Sequence, residues 1–185
     1  MAGRKGTTMR LFISDFKAAQ HFKPPQPWAI ISISTRPTDF VPLETENRIG
    51  VLQLAFADIN HDNVDIWDDT PADKKQFMLP FTDEQADLIL RFMTSMQKQG
   101  AEMLLVHCEA GISRSPGVGA ALCELSECNL SLKALYKLYY PNASVKSRIL
   151  RRAKELGVSF PGLVQYSGRY LPDSINIPDF NLNTL

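Results

Sequence analysis

The chain has 185 residues, of which 44% are hydrophobic and 22% are charged, and its twenty basic residues balance twenty acidic ones. This composition predicts one soluble globular domain with its own core, and the zero net charge argues against general binding to nucleic acid or to a membrane surface. Residues 1–8 are basic but have no apolar stretch behind them, and no run approaches the roughly 20 apolar residues of a membrane-spanning helix.

Apolar runs predict four short strands along the chain. Residues 9–13 form the first, and residues 28–33, rich in Ile and bounded by proline, form the second. Residues 51–56 and residues 103–106 form the third and fourth. Asp15 is expected to cap a short helix over 16–22. The prolines at positions 24, 25 and 27 are expected to end that helix.

Four longer helices are expected in the second half of the chain. Thr82 and Gln85 have the spacing of a capping box, and Gly100 ends the apolar periodicity that follows. Pro116 suits the first turn of a small-residue helix that runs to position 125. Two more helices, over 131–139 and 143–156, are separated by Pro141-Asn142, with Asn142 as the N-cap of the second.

Strands that alternate with helices favour an α/β fold, with a central, mostly parallel sheet of about four to five strands and helices on both faces. Residues 1–8 are expected to be a disordered lead-in and residues 9–157 the domain. Residues 158–185 are expected to be a tail packed on that domain, because the helical periodicity fades after Gly157.

The number and spacing of cysteines and histidines limit which disulfides and metal sites the chain can form. The three cysteines, at positions 108, 123 and 128, are too few and odd in number for a disulfide framework, which predicts a reducing, cytoplasmic setting. The histidines are scattered, and the sequence has no CxxC or HxxxH pair to begin a metal site. We therefore expect no metal and no other cofactor.

Residues 107–115, HCEAGISRS, lie between a predicted strand and a predicted helix, where ligands bind in α/β sheets. Backbone N–H groups from Glu109 to Arg114 can form an anion-binding nest, and the following helix adds its positive end. Gly111 permits a tight loop, and Arg114 can bind two phosphate oxygens with its planar fork. The same positive surroundings stabilise a thiolate on Cys108.

HCEAGISRS resembles the HCxxGxxR(S/T) signature of the protein tyrosine phosphatase superfamily, and its SRSP ending is most similar to the dual-specificity branch. The resemblance extends more weakly over residues 9–156. It implies the phosphatase fold, with Cys108 as the nucleophile that forms a phosphocysteine and Arg114 as the phosphate ligand. It further implies that Ser115 donates a hydrogen bond to the sulfur and that His107 supports the loop. The implied substrate-binding residues are Glu109, Ala110, Gly111, Ile112, Ser113 and Arg114.

The same family supplies an aspartate, on a loop after an upstream strand, that acts first as an acid and then as a base. Asp58 stands directly after residues 51–57, where that aspartate is expected. It lies 50 positions before Cys108, farther than in compact members of the family. Because the extra residues are themselves acidic, Asp62, Asp65 and Asp68 remain alternatives.

Glu109 and Ala110 occupy loop positions where phosphoinositide-directed relatives tend to have lysines. A protein phosphoresidue, phosphotyrosine above all, is therefore the expected substrate, with dual specificity left open. We expect a monomer whose partner is a phosphoprotein or phosphopeptide, with no nucleic acid and no membrane. Two other functions remain as alternatives: a phosphate-binding module that has lost catalysis, and another thiol enzyme such as a rhodanese-like sulfurtransferase or an arsenate reductase.

Overall fold

In the computed structural model, which describes residues 8–59 and 78–171, five parallel strands form one sheet in the order β3-β2-β4-β1-β5. The strands are β1 (Met9–Ser14), β2 (Trp28–Ser34), β3 (Arg48–Ala55), β4 (Met103–His107) and β5 (Val164–Arg169). The prediction of a mostly parallel sheet of four to five strands is confirmed.

The helices are α1 (Phe16–Ala19), α2 (Asp83–Gln99), α3 (Arg114–Leu125), α4 (Asn129–Leu138) and α5 (Ala143–Leu156), and a single 3-10 turn spans Pro37–Asp39. Helix α1 is shorter than the predicted 16–22, whereas α5 has the predicted bounds. None of the helices in the described parts of the chain is long and apolar enough to cross a bilayer.

Local sequence explains where α2 and α5 begin and end. The capping box at Thr82 and Gln85 is formed in both directions, and Gly100 ends α2 in the left-handed conformation at φ 78°. The side chain of Asn142 accepts a hydrogen bond from the N–H of Val145, which makes it the N-cap of α5, as predicted.

Two apolar cores cover the two faces of the sheet. Helix α1 and the residues around it pack on one face, where Phe22 contacts the rings of Phe12, Trp28 and Tyr170. The other four helices cover the opposite face and contribute to a larger core. The prediction of helices on both faces is therefore also confirmed.

Strand β5 was not predicted. It pairs with β1 at the edge of the sheet, through a register shift between Leu11 and Phe12, and buries Val164 and Tyr166. Its sequence, VQYSGR, lacks an apolar run, and its alternation of apolar and polar residues covers only four positions, so the strand signal is weak. Part of the segment assigned to a packed tail thus belongs to the sheet, and positions 172–185 lie outside the described residues.

Candidate active site

The loop that joins β4 to α3 lies at the carboxyl ends of β1, β2 and β4. Gly111 has a φ of 67°, and a Cβ there would lie 2.6 Å from the carbonyl carbon and oxygen of Ser14. Only glycine fits such an approach without displacing backbone. The N–H of Phe16 donates to the carbonyl of Glu109 at 3.3 Å. This hydrogen bond and the close approach of Gly111 to Ser14 both hold the loop against the end of β1.

Cys108 begins this loop and is 2% exposed. Its Sγ accepts hydrogen bonds from the backbone N–H of Gly111 and from the hydroxyl of Ser115, each at 3.2 Å. The loop leads directly into α3, which begins at Arg114 and directs the positive end of its dipole toward the loop. Two hydrogen-bond donors and the N terminus of a helix thus surround the sulfur.

Arg114 is 4% exposed, and three acceptors fix its guanidinium. Nη1 donates to Thr35 Oγ1 at 3.1 Å and to the carbonyl oxygen of Phe56 at 2.9 Å, while Nη2 pairs with Glu109 Oε2 at 3.0 Å. Within the described residues, the buried Nε has no hydrogen-bond partner. Because a buried donor left unpaired costs about 1–3 kcal/mol, this N–H favours an incoming oxyanion.

Glu109 lies half-exposed beside Arg114. Its Oε1 accepts hydrogen bonds from the Thr35 hydroxyl at 2.7 Å and from the Thr35 N–H at 3.2 Å. Burial opposes ionisation of this carboxyl, but the Thr35 hydrogen bonds and the Arg114 charge outweigh it and lower the pKa of Glu109. The mouth of the loop therefore carries a negative charge at neutral pH.

Asp58 lies beside the same loop, although 50 positions separate it from Cys108 in sequence. Its Oδ1 accepts a hydrogen bond from Ser113 Oγ at 2.7 Å and another from Asn142 Nδ2 at 2.8 Å. The side chain is exposed, and these two bonds hold it beside the loop. The alternative carboxylates Asp62, Asp65 and Asp68 lie outside the described residues.

His107 lies at the end of β4 and is 2% exposed. Burial lowers its pKa to about 4, which the Cys108 backbone and the Asp15 charge only partly offset. The imidazole is therefore neutral at physiological pH. A buried, neutral ring suits support of the loop better than proton transfer.

The remaining loop residues differ in their surroundings. Ala110 and Ile112 are exposed at the mouth, while Ser113 is half-buried and Ser115 is buried. The carbonyl of Ile112 accepts a hydrogen bond from the N–H of Tyr140 at 3.2 Å, so the segment before α5 borders the loop.

Sequence reasoning missed three contributions to the site: the Thr35 side chain, the Phe56 carbonyl and the amide of Asn142 toward Asp58. Thr35 follows β2, which neighbours β4 in the sheet, so its position at a strand end was the available signal. The carbonyl oxygen of Phe56 carries no signal in the sequence. Asn142 was correctly predicted as a helix cap, but its second contact depends on how the loops pack.

Cys123 and Cys128 lie away from this loop. Cys123 is fully buried in the core, and burial raises the pKa of its thiol to about 12. The sulfur of Cys128 lies 2.9 Å from the hydroxyl of Ser131. Among the three free cysteines, Cys108 is thus the one that lies in the loop of residues 107–115, beside Arg114.

No family model and no curated protein matches the chain, but several solved structures are similar to it. A human tyrosine phosphatase-like serine/threonine/tyrosine-interacting protein superposes with a TM-score of 0.51 at 17% identity, over 80% of this chain and 93% of that one. Tk-PTP in the active form gives 0.44 at 18% identity, over 75% and 82% of the two chains. PTPMT1 in complex with PI(5)P gives 0.40 at 18% identity, over 70% and 78%.

The first of these likenesses spans nearly the whole of the compared chain. It agrees with the parallel sheet and with the position of residues 107–115 at the carboxyl ends of its strands. The chain therefore has the fold of the protein tyrosine phosphatase superfamily.

Proposed function

We propose that the chain is a cysteine-dependent phosphatase that hydrolyses phosphomonoesters through a phosphocysteine on Cys108. One observation carries the proposal: a sulfur with two hydrogen-bond donors lies in the same loop as a buried guanidinium whose Nε is unpaired within the described residues. The nest of backbone N–H groups and Arg114 hold a phosphate dianion where the sulfur can attack it.

In the first step the Cys108 thiolate attacks phosphorus, and the bond from phosphorus to the ester oxygen breaks. The leaving oxygen takes the proton of the Asp58 carboxyl, because an alkoxide or phenolate leaves poorly without one. Arg114 and the loop N–H groups stabilise the charge that spreads over the phosphoryl oxygens in the transition state.

In the second step a water molecule attacks the phosphorus of the phosphocysteine. Asp58, now a carboxylate, takes the proton of that water, and the P–S bond breaks to release inorganic phosphate. The Ser115 hydroxyl, 3.2 Å from Sγ, stabilises the departing thiolate. The enzyme returns to its starting state once Asp58 carries a proton again.

The substrate we propose is a phosphorylated protein or peptide, with phosphotyrosine as the preferred residue. The ionised Glu109 at the mouth repels a ligand that carries several phosphates. Ala110 and Ile112 give the mouth a small, apolar rim that suits an aromatic ring. The three unpaired cysteines fit a reducing compartment, and we propose the cytoplasm as the place of action.

A phosphate-binding module without catalysis is the second candidate, since the human protein with the TM-score of 0.51 is named as phosphatase-like and interacting. Such a module needs Arg114 but neither a reactive sulfur nor an acid. Cys108 and Asp58 both keep hydrogen bonds that suit catalytic roles, which favours the enzyme. A sulfurtransferase, the other thiol chemistry, has no use for an acid at Asp58.

The test is hydrolysis of p-nitrophenyl phosphate in the presence of EDTA, by wild type, Cys108→Ser and the matched control Cys123→Ser. The proposal requires that Cys108→Ser lose about a thousandfold or more in kcat/KM while Cys123→Ser keeps its activity. Hydrolysis that survives in Cys108→Ser, or that needs a divalent ion, overturns it. A wild-type protein that binds phosphate without turnover identifies the binding module instead.

A further inference from the structure

We propose that Asn142 is a positioning residue for the proton transfer, which holds the Asp58 carboxyl so that its Oδ2 carries the proton. The inference rests on the proposed function, because it assigns a role within that reaction. It concerns a residue outside the loop of residues 107–115, one whose sequence pattern predicts only a helix cap.

Asn142 is 0% exposed and connects three parts of the site. Its backbone N–H donates to the carbonyl of Ser113 at 2.9 Å, which ties it to the phosphate loop. Its Oδ1 accepts from the N–H of Val145 at 3.0 Å, which fixes it to the first turn of α5. Its Nδ2 donates to Asp58 Oδ1 at 2.8 Å and to the carbonyl of Ile59 at 3.3 Å.

The capping bond decides which way the amide faces. Since the N–H of Val145 requires an acceptor, Oδ1 of Asn142 must face the helix, and the NH₂ group must therefore face Asp58. The amide cannot rotate to exchange the two groups without breaking the cap. The cap of α5 thus determines that the NH₂ group of Asn142 faces Asp58, and the Asp58 carboxyl does not.

Within residues 8–59 and 78–171, the two hydrogen bonds to the Asp58 carboxyl end on the same oxygen. Asn142 Nδ2 and Ser113 Oγ each reach Oδ1. An NH₂ group can only donate, so Oδ1 serves as its acceptor, and in the acid form of Asp58 that we propose the proton is carried on Oδ2. Oδ2 is then the oxygen that protonates the leaving group and later takes the proton from water.

The close packing of α3 against Asn142 holds this arrangement in place. A Cβ at Gly117, in the first turn of α3, would lie 2.9 Å from the carbonyl oxygen of Asn142 and 3.2 Å from its Cβ. Glycine at this position lets α3 approach Asn142 directly. The position of the Asp58 carboxyl is therefore fixed by α3 and α5 as well as by the loop.

The test separates the donor from the cap with two variants. Asn142→Ser keeps an N-cap oxygen for Val145 but removes the donor to Asp58, whereas Asn142→Ala removes both. Each is assayed on p-nitrophenyl phosphate, whose leaving group departs readily without a proton, and on phenyl phosphate, whose leaving group needs one. Thermal unfolding of each variant measures separately how much stability is lost when the helix cap is removed.

If Asn142 positions the acid, both variants lose about tenfold in kcat on phenyl phosphate and stay within about threefold of wild type on p-nitrophenyl phosphate. Asn142→Asp, which caps the helix but presents a carboxylate to Asp58, then moves the basic limb of the phenyl phosphate pH–rate profile to higher pH. If Asn142→Ala fails to fold, Asn142→Ser and Asn142→Asp still show whether Asn142 positions the acid.

The inference is overturned if Asn142→Ser matches wild type on both substrates, since the residue is then only a cap. It is equally overturned if the variants slow both substrates to the same extent. Failure of the proposed function gives a different result, because wild type and Cys108→Ser then hydrolyse p-nitrophenyl phosphate alike, whatever stands at position 142.

Discussion

The guanidinium of Arg114 donates a 2.9 Å hydrogen bond to the carbonyl oxygen of Phe56, two residues before Asp58. Arg114, the proposed phosphate ligand, thus also holds the segment that carries Asp58, the proposed acid. Arg114 Nη1 contacts Thr35 as well, so one buried side chain joins the carboxyl ends of β2 and β3 to the phosphate loop. In the proposed reaction, phosphate binding and proton donation therefore share one support.

Replacing Asp58 by Asn removes the group that we propose protonates the leaving oxygen. We expect kcat on phenyl phosphate to fall about a hundredfold or more, with loss of the basic limb of its pH–rate profile. Asp39→Asn, an exposed aspartate after β2, is the control that keeps wild-type rates. If Asp62→Asn, Asp65→Asn or Asp68→Asn loses the basic limb and Asp58→Asn does not, the acid lies among residues 60–77.

Replacing Glu109 by Gln removes the carboxylate that pairs with Arg114 Nη2 at 3.0 Å. Inorganic phosphate then meets no competing anion at the guanidinium, so we expect its inhibition constant to fall about threefold to fivefold. The effect is modest because Glu109 is half-exposed and the pair is screened. Weaker inhibition by phosphate in Glu109→Gln would show that the carboxylate orients Arg114 and does not compete with the ligand.

Gly111→Ala tests whether the loop needs the close approach to β1. The new Cβ would lie 2.6 Å from backbone atoms of Ser14 at a φ of 67°, so we expect loss of most phosphatase activity and destabilisation by about 1–3 kcal/mol. Gly157→Ala is the matched control, because its φ is 63° but nothing lies within 4 Å of the added Cβ. That variant should be destabilised by about 1 kcal/mol and remain active, whereas equal activity in the two variants would contradict the packing argument.

Burial of His107 makes folding depend on pH. The folded-state pKa of about 4 lies below the unfolded value of 6.5, so the unfolded chain binds the extra proton between these values. The free energy of unfolding should therefore fall as the pH drops from 6.5 to 4, by up to about 3 kcal/mol from this residue. In His107→Asn, urea unfolding across this window should show a shallower pH dependence, and a dependence parallel to that of wild type would show that the ring gains its proton without cost.

The fold could be predicted wherever local sequence determines it. The apolar run of β4, the capping box at Thr82 and the N-cap at Asn142 each gave elements that the structure confirms. Strand β5 could not be predicted, because its alternation of apolar and polar residues covers only Val164 to Ser167 before Gly168, and its pairing with β1 spans the length of the domain.

The candidate site also has one part that local sequence predicts and another that it does not. Residues 107–115 are contiguous, so their pattern is legible in the sequence. The contacts that complete the site join residues that lie far apart: 79 positions separate Thr35 from Arg114, and 84 separate Asp58 from Asn142. Such contacts follow from the order of strands in the sheet and from the packing of α5, which no local pattern encodes.

The covalent step itself can be observed by rapid quenching in sodium dodecyl sulfate at mildly alkaline pH, which preserves a phosphocysteine, during turnover of a phosphotyrosine peptide that carries radiolabelled phosphate. The account predicts label on the peptide that contains Cys108, formed within the first turnover at close to one equivalent per enzyme or less. It also predicts that no label is recovered from Cys108→Ser. Steady hydrolysis without label on Cys108, or label on any other residue, would contradict the account.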